Sequence, residues 1–168
     1  IAELTQPFLN SNGKLFFKET EIGFDAVHTI FGDVAGTING VLETKKPGSY
    51  QLAIQTKPTE INKVINTLKL DKPGIPIAGE IKSAIQITGA LNKPKVDFDL
   101  VTTRVTRIDR VDFKNIRANL QLLGNTLNVK EFDGNPLVGG RVVGNGTIAL
   151  KHSKNLAFNA TAINVPGN

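Results

Sequence analysis

Between Ile75 and Leu100 the chain reads IPIAGEIKSAIQITGALNKPKVDFDL, a pattern that suits an extended backbone and no helix. Ile75, Ile77, Gly79, Ile81, Ser83, Ile85 and Ile87 alternate with Pro76, Ala78, Glu80, Lys82, Ala84, Gln86 and Thr88. Successive side chains of a strand point to opposite faces, so one face is aliphatic and the other polar. Gly89 to Pro94 interrupts, and Val96, Phe98 and Leu100 then resume the alternation against Asp97 and Asp99. The expectation is a long antiparallel hairpin with a wide apolar face.

The same rule recurs along the chain. A strand is expected from Lys14 to about Thr20, after the turn residues Asn10 to Gly13. Ile22, Phe24, Ala26 and His28 continue an even-numbered apolar face, and Phe31, Gly32 and Asp33 read as the following turn. GTINGVL puts Ile38, Gly40 and Leu42 on one side; Lys45 to Gly48 turns; Tyr50, Leu52, Ile54 and Thr56 return. Val101 to Phe113 has neither period cleanly, and its β-branched content predicts a strand with a bulge or an edge. Ile116, Ala118, Leu120 and Leu122 alternate with polar residues, Gly124 and Asn125 turn, and Leu127 and Val129 begin the partner. Beyond Asp133 to Pro136, Val142, Gly144, Gly146, Ile148 and Leu150 share a face, and Leu156, Phe158, Ala160 and Ala162 form the last strand. About nine to eleven strands joined by short turns make a meander.

Pro58 to Leu70 is where the period changes. Ile61, Val64, Ile65 and Leu68 fall at helical spacing behind Thr59 as N-cap. A helix that short is not stable alone, so it must pack on the sheet, as a cap on one end would.

At 168 residues, 40% hydrophobic and 21% charged, the chain suits one domain with a real core and not a disordered segment. It contains no Cys, Met or Trp, which excludes disulfides, thiolate metal sites and cysteine nucleophiles. No run approaches the about 18 apolar residues of a membrane-spanning helix. Ile1 begins without a basic segment followed by an apolar one, so no signal peptide is expected within these residues. It reads as a piece of something larger, although a mature domain fits that absence equally.

The net charge of +5 raises the question of nucleic acid or an anionic membrane. Its densest basic stretch is Arg104, Arg107, Arg110, Lys114 and Arg117, diluted by Asp109 and Asp112. Phe113 is its one aromatic neighbour, and no recognition helix, RNA-binding motif or zinc spacing accompanies it, so a solvated, charge-guarded strand face is expected and no nucleic-acid partner. His28 and His152 lie far apart without a Ser or carboxylate at motif spacing, and the nucleophile-elbow, P-loop, zincin and calcium-loop patterns are all missing. Asp109 and Asp112 read as ion-pair partners of nearby arginines. The glycine run Gly139 to Gly146 lies in a strand pattern with no helix after it, so phosphate cradling is not expected. No enzyme activity, cofactor or metal is expected.

Gly36, Ile38 and Gly40 recur as Gly140, Val142 and Gly144, 104 residues on, each after a Phe-containing turn. Such a period would suit a piece of a longer stacked array, with a repeat boundary near residues 70–75.

Several fragments resemble one family. The Ile75 to Leu100 hairpin, with its TGALNKP centre, resembles the strand, "TG-x-L-x-x-P", strand signature of AsmA-like and TamB-like proteins. So do IDRVDF running into FKNIRANLQL, the run LVGGRVVGNGTIAL and the closing FNATAINVPGN. The combination is most similar to the cyanobacterial TamB branch, to which a chloroplast inner-envelope import component is related, over roughly Phe31 to Asn168. Asp97 departs from the family, which commonly has Gly after Pro-x-Val. The resemblance implies a mainly β fold: a curved, elongated antiparallel meander, taco-shaped, with an apolar concave face and one short helix. It implies a single groove domain over residues 1–168, adjacent repeats of the same chain, and a periplasmic place in a protein anchored at the inner membrane. It also implies phospholipid movement between membranes and outer-membrane biogenesis with an Omp85-type partner.

On that basis the residues expected to line a groove for acyl chains are Ile38, Leu52, Ile54, Ile77, Ile81, Ile85, Ile87, Phe98, Leu100, Leu120, Leu122, Val142, Ile148 and Leu150. Two other readings fit the pattern. One is a scaffold whose open edge strand pairs with a nascent β-barrel strand. The other is a plain sandwich whose two sheets cover each other, which the alternation would serve equally.

Overall fold

The computed structural model describes residues 9–67, 75–149 and 156–166. In chain order the elements are β1 (Leu9–Lys18), β2 (Glu21–Phe31), β3 (Val34–Glu43), β4 (Ser49–Thr56), β5 (Thr59–Glu60), α1 (Ile61–Thr67), β6 (Ile77–Ala78), β7 (Glu80–Ala90), β8 (Lys93–Thr102), β9 (Thr106–Ile108), β10 (Val111–Leu123), β11 (Thr126–Pro136), β12 (Arg141–Ala149) and β13 (Leu156–Ile163). All the strands belong to one antiparallel sheet. Its main path runs β1-β2-β3-β4-β7-β8-β10-β11-β12-β13, a meander whose first and last strands do not meet. The sheet is curved and unclosed, as the family resemblance implies, with one short helix where the period changes.

Alternation, reset by bulges in β2, β10 and β11, produces a strongly two-faced sheet. Every buried apolar side chain, among them Phe24, Val27, Ile38, Ile81, Phe98, Ile116 and Val129, lies on the same concave face. No second sheet is found among the described residues, which removes the two-sheet sandwich. The accessible surface is 11111 Å², whereas a compact globular chain of this mass would expose about 8,100 Å². The shape is open.

The Ile75 to Leu100 hairpin forms over β7 and β8, in register from Ile81 opposite Thr102 to Ala90 opposite Lys93. It is shorter than expected. The segment breaks at Gly79, where the Thr106 side chain packs so closely over the α carbon that a Cβ would not fit. Before the break Ile77 pairs with Ile108 of β9; after it Ile81 pairs with Thr102 of β8. The irregular Val101 to Phe113 stretch is the cause: β8 ends at Thr102, the chain bends, and β9 turns tightly through Asp109 and Arg110 into β10.

Three other expectations are corrected. The even-numbered face of β2 holds for Ile22 and Phe24 and then inverts. Asp25 and Ala26 together face Asn39, a β-bulge that moves Val27 and Thr29 inside and puts Ala26 and His28 outside. Phe132, Asp133 and Gly134, the Phe-containing turn expected before Gly140, do not turn; they sit within β11, which runs on to Pro136. Thr59 does not cap the helix. It is buried in β5, and its hydroxyl donates back to the Lys57 carbonyl at 2.8 Å. The helix is described only as far as Thr67, so its expected last turn, and most of the supposed repeat boundary, lie outside the described residues. Its start is held by Ile61 N–H on the Gly79 carbonyl, and Thr67 Oγ1 accepts from Asp33 N–H in the β2–β3 turn. The helix thus sits at one end of the sheet.

Candidate functional site: an apolar sheet face

Opposed residues of an antiparallel pair share a face, so the register identifies which side chains form continuous rows. One row crosses nine strands from β2 to β13: Val27, Ile38, Ile54, Ile85, Phe98, Leu120, Val129, Gly146 and Phe158. Beside it run Phe24, Gly40, Leu52, Ile87, Val96, Leu122, Leu127 and Ile148. No charged residue interrupts either row. The rows hold nine of the expected groove residues, and Ile81, Leu100 and Val142 belong to neighbouring rows on the same face. Ile77 lies off the main path, in the short strand β6. Leu150 lies outside the described residues.

Burial across this face is graded. Phe24, Val27, Ile38 and Leu42 form a packed core near the N-terminal strands, with Ile22, Tyr50, Leu52, Ile54 and Leu91 against it. From β7 onward Ile85, Ile87, Val96, Leu100, Leu120, Leu122 and Ile148 are only half-buried. Toward β13 the filling is aromatic: the Phe132 ring meets those of Phe113 and Phe158 edge-on, centroids 6.0 and 6.3 Å apart. Gly134, Gly144 and Gly146 stand beneath these rings, where a Cβ would strike Phe113 or Phe158.

One end of the face carries buried hydroxyls that periodicity did not single out. Thr29, Thr59, Ser83 and Thr106 are all buried, Thr106 to 1% exposure. They and their neighbours take over where ladders end. Thr56 Oγ1 accepts from Ser83 N–H at 2.8 Å just past the last β4–β7 pair, and Thr102 Oγ1 accepts from Ile116 N–H at 2.8 Å just past the last β8–β10 pair. These threonines complete the backbone hydrogen bonding, and no buried side-chain polar atom of the described residues is left unsatisfied.

The opposite face is polar and knitted across strands. Gln121 donates to Asp97 at 3.1 Å and Asn119 to Asp99; Lys95 and Lys130 both approach Asp97 at 3.9 Å. Asp97 therefore serves as an outward cross-strand acceptor within a regular ladder. Asp133 accepts two bonds from Arg141, at 2.9 and 2.7 Å, and that guanidinium holds its carboxyl below the usual carboxylate value. A shallow depression of about 430 Å³ also lies on this face, lined among others by Gln55, Lys82, Ala84, Asp99, Arg117 and Glu131. Both charge signs line it, and the short Ala84 among longer neighbours accounts for it. In the basic stretch, Arg104 lies 3.9 and 3.8 Å from Glu60 and Glu80, and Arg107 lies 3.3 Å from Asp112. Comparison with protein-family models, curated proteins and solved structures gives no match to this chain.

Proposed function

We propose that the concave face shields the acyl chains of phospholipids, without enzyme chemistry, as one segment of a longer TamB-like conduit between two membranes. The observation that carries this reading is the pair of apolar rows across the sheet, whose members from β7 onward are half-buried apart from Phe98, Val129 and the exposed Phe158, with no second layer over them among the described residues. An aliphatic surface with few directed groups suits a ligand that is greasy, long and variable. Each buried methylene contributes about 0.8 kcal/mol, so a dozen of them hold a chain without a specific hydrogen bond. The periplasmic place, the inner-membrane anchor and an Omp85-type partner belong to the same reading and rest on the family resemblance. Native mass spectrometry of the purified chain tests it. Phospholipid adducts are expected on the parent and lost from a folded Ile85→Asp variant, while a lipid-free parent would count against the reading.

A second reading is a scaffold that adds a strand of a nascent outer-membrane β-barrel to its sheet. What favours it is β13, an edge strand reading LAFNATAI with no charge, no proline and an unshifted register against β12. Edges are ordinarily guarded by such devices. Crosslinks from β13 to a barrel protein, insensitive to charging Ile85, would support this reading over the first.

A further inference from the structure

The apolar face changes character along one row. Next to the row through Ile54 and Ile85, the register sets Thr29 opposite Gly36, Gly36 opposite Thr56, Thr56 beside Ser83 and Ser83 opposite Leu100. Thr29 and Ser83 are buried, and Gly36 puts no side chain between Thr29 and Thr56. Thr56 Oγ1 accepts the Ser83 N–H at 2.8 Å, and its own proton goes to no described residue. The Ser83 hydroxyl neither donates to nor accepts from any described residue, although Ser83 is only 9% exposed. Every fully covered side-chain polar atom among the described residues has a partner, so this hydroxyl reaches the surface of the face that Ser83 shares with Ile85. Smallness alone does not call for a serine: Ala118, two strands along in the same row, is buried without a hydroxyl.

We infer that Ser83 and Thr56 form the polar end of the acyl site, their two hydroxyls donating to the ester carbonyl oxygen of a glycerolipid whose tail lies on the adjoining Ile54 and Ile85 row. A donor left unused in apolar surroundings costs free energy, and a carbonyl oxygen, with two lone pairs, accepts from both hydroxyls. Cross-strand neighbours stand about 5 Å apart at Cβ, close enough for one oxygen to meet both. The acceptor is a neutral one, because the row from Thr29 to Ala118 carries no charged residue to balance a carboxylate or a phosphate. The inference rests on the acyl-shielding reading and adds to it an anchored end and a preference for ester over ether linkage.

Diheptanoyl phosphatidylcholine and its diheptyl ether analogue, both soluble as monomers, differ only in the carbonyl oxygens. Titrated into the purified chain and read by native mass spectrometry, the ester is expected to bind at least tenfold more tightly than the ether, the weight of two net hydrogen bonds. Ser83→Ala is expected to weaken the ester about fivefold, the weight of one such bond, and to leave the ether as it was. The urea midpoint of Ser83→Ala should not fall, because the hydroxyl has no partner within the fold. In the infrared, the stretch of a carbon-13-labelled ester carbonyl is expected at lower frequency when bound to the parent than when bound to Ser83→Ala. Equal binding of ester and ether by the parent would overturn the inference and leave acyl shielding standing. So would an ester affinity unchanged in the folded Ser83→Ala variant. Binding of neither lipid would overturn both.

Discussion

Gly40 and Asn39 show how one position can hold a sheet to its curvature. Gly40 has φ +125, and a Cβ there would overlap the carbonyl oxygen of Gln51 on β4. One residue earlier, Asn39 Oδ1 accepts the N–H of Ala26, the bulged residue of β2, at 2.9 Å. The bulge inverts the facing of β2, and the side chain of Asn39 satisfies the amide that the inversion strands. Gly40→Ala is therefore expected to cost about 3 kcal/mol or more, read as a drop in the urea midpoint. Gly124, at φ +59 with no atom within 4 Å of its Cβ position, should lose only about 1 kcal/mol in the same change. Equal losses at the two positions would contradict the role given to Gly40. Thr56→Val keeps the shape but removes the acceptor for Ser83 N–H, and a loss of about 1–3 kcal/mol is expected. An unchanged midpoint would show that the ladder end does not need the hydroxyl.

Among the elements, β11 and β12 repeat the β2–β3 device. Lys130 and Glu131 together face Asn145, just as Asp25 and Ala26 face Asn39, and each Asn is followed by a Gly. The echo read from the sequence set Gly36 and Gly40 on Gly140 and Gly144, 104 residues apart, but Gly140 lies in the turn before β12 while Gly36 lies within β3. Strand pairing aligns the two at 106 residues instead, Asn39 with Asn145 and Gly40 with Gly146. A bulge adds a residue without a signature in polarity, so residue counting alone slips there. The Asp133 and Arg141 pair links these same strands across the polar face. Its sign in pH follows from the lowered carboxyl: the stabilisation is fully present above the unfolded aspartate value near 3.9 and is lost as pH falls through the lower folded value. Below about pH 4 the stability of Asp133→Asn should thus fall less steeply than that of the parent, measured by urea midpoints across that range. Parallel curves would mean that the pair is absent in solution. The uncharged edge β13 belongs to this scale as well. Thr161→Lys, on the polar face opposite Val143, is expected to suppress concentration-dependent association measured by analytical ultracentrifugation. Unchanged association would show that the β13 edge is not where chains meet.

For the whole molecule, strict alternation specifies much and leaves definite gaps. Strand existence, the β7–β8 hairpin and the aliphatic face from Ile81 to Leu100 were legible because each apolar residue sits two from the next. The facing of Val27 and His28, the break at Gly79 and the length of β11 were not, because they depend on bulges and on which neighbour a strand chooses. The hydroxyls at the ladder ends were missed for the same reason: Thr56 and Thr102 matter through what the adjacent strand lacks. Thirteen of the fourteen expected lining residues fall within the described residues, and twelve of those lie in the main strand path, with Ile77 set aside in β6. The central claim is that this face, left open by the sheet, accommodates acyl chains. Photo-crosslinking residues introduced at Ile85 and Phe98, and at Gln86 and Asp97 beside them on the other face, test it directly against phospholipid. The account predicts lipid adducts at the first two positions and background at the second two. Equal labelling on both faces would contradict it.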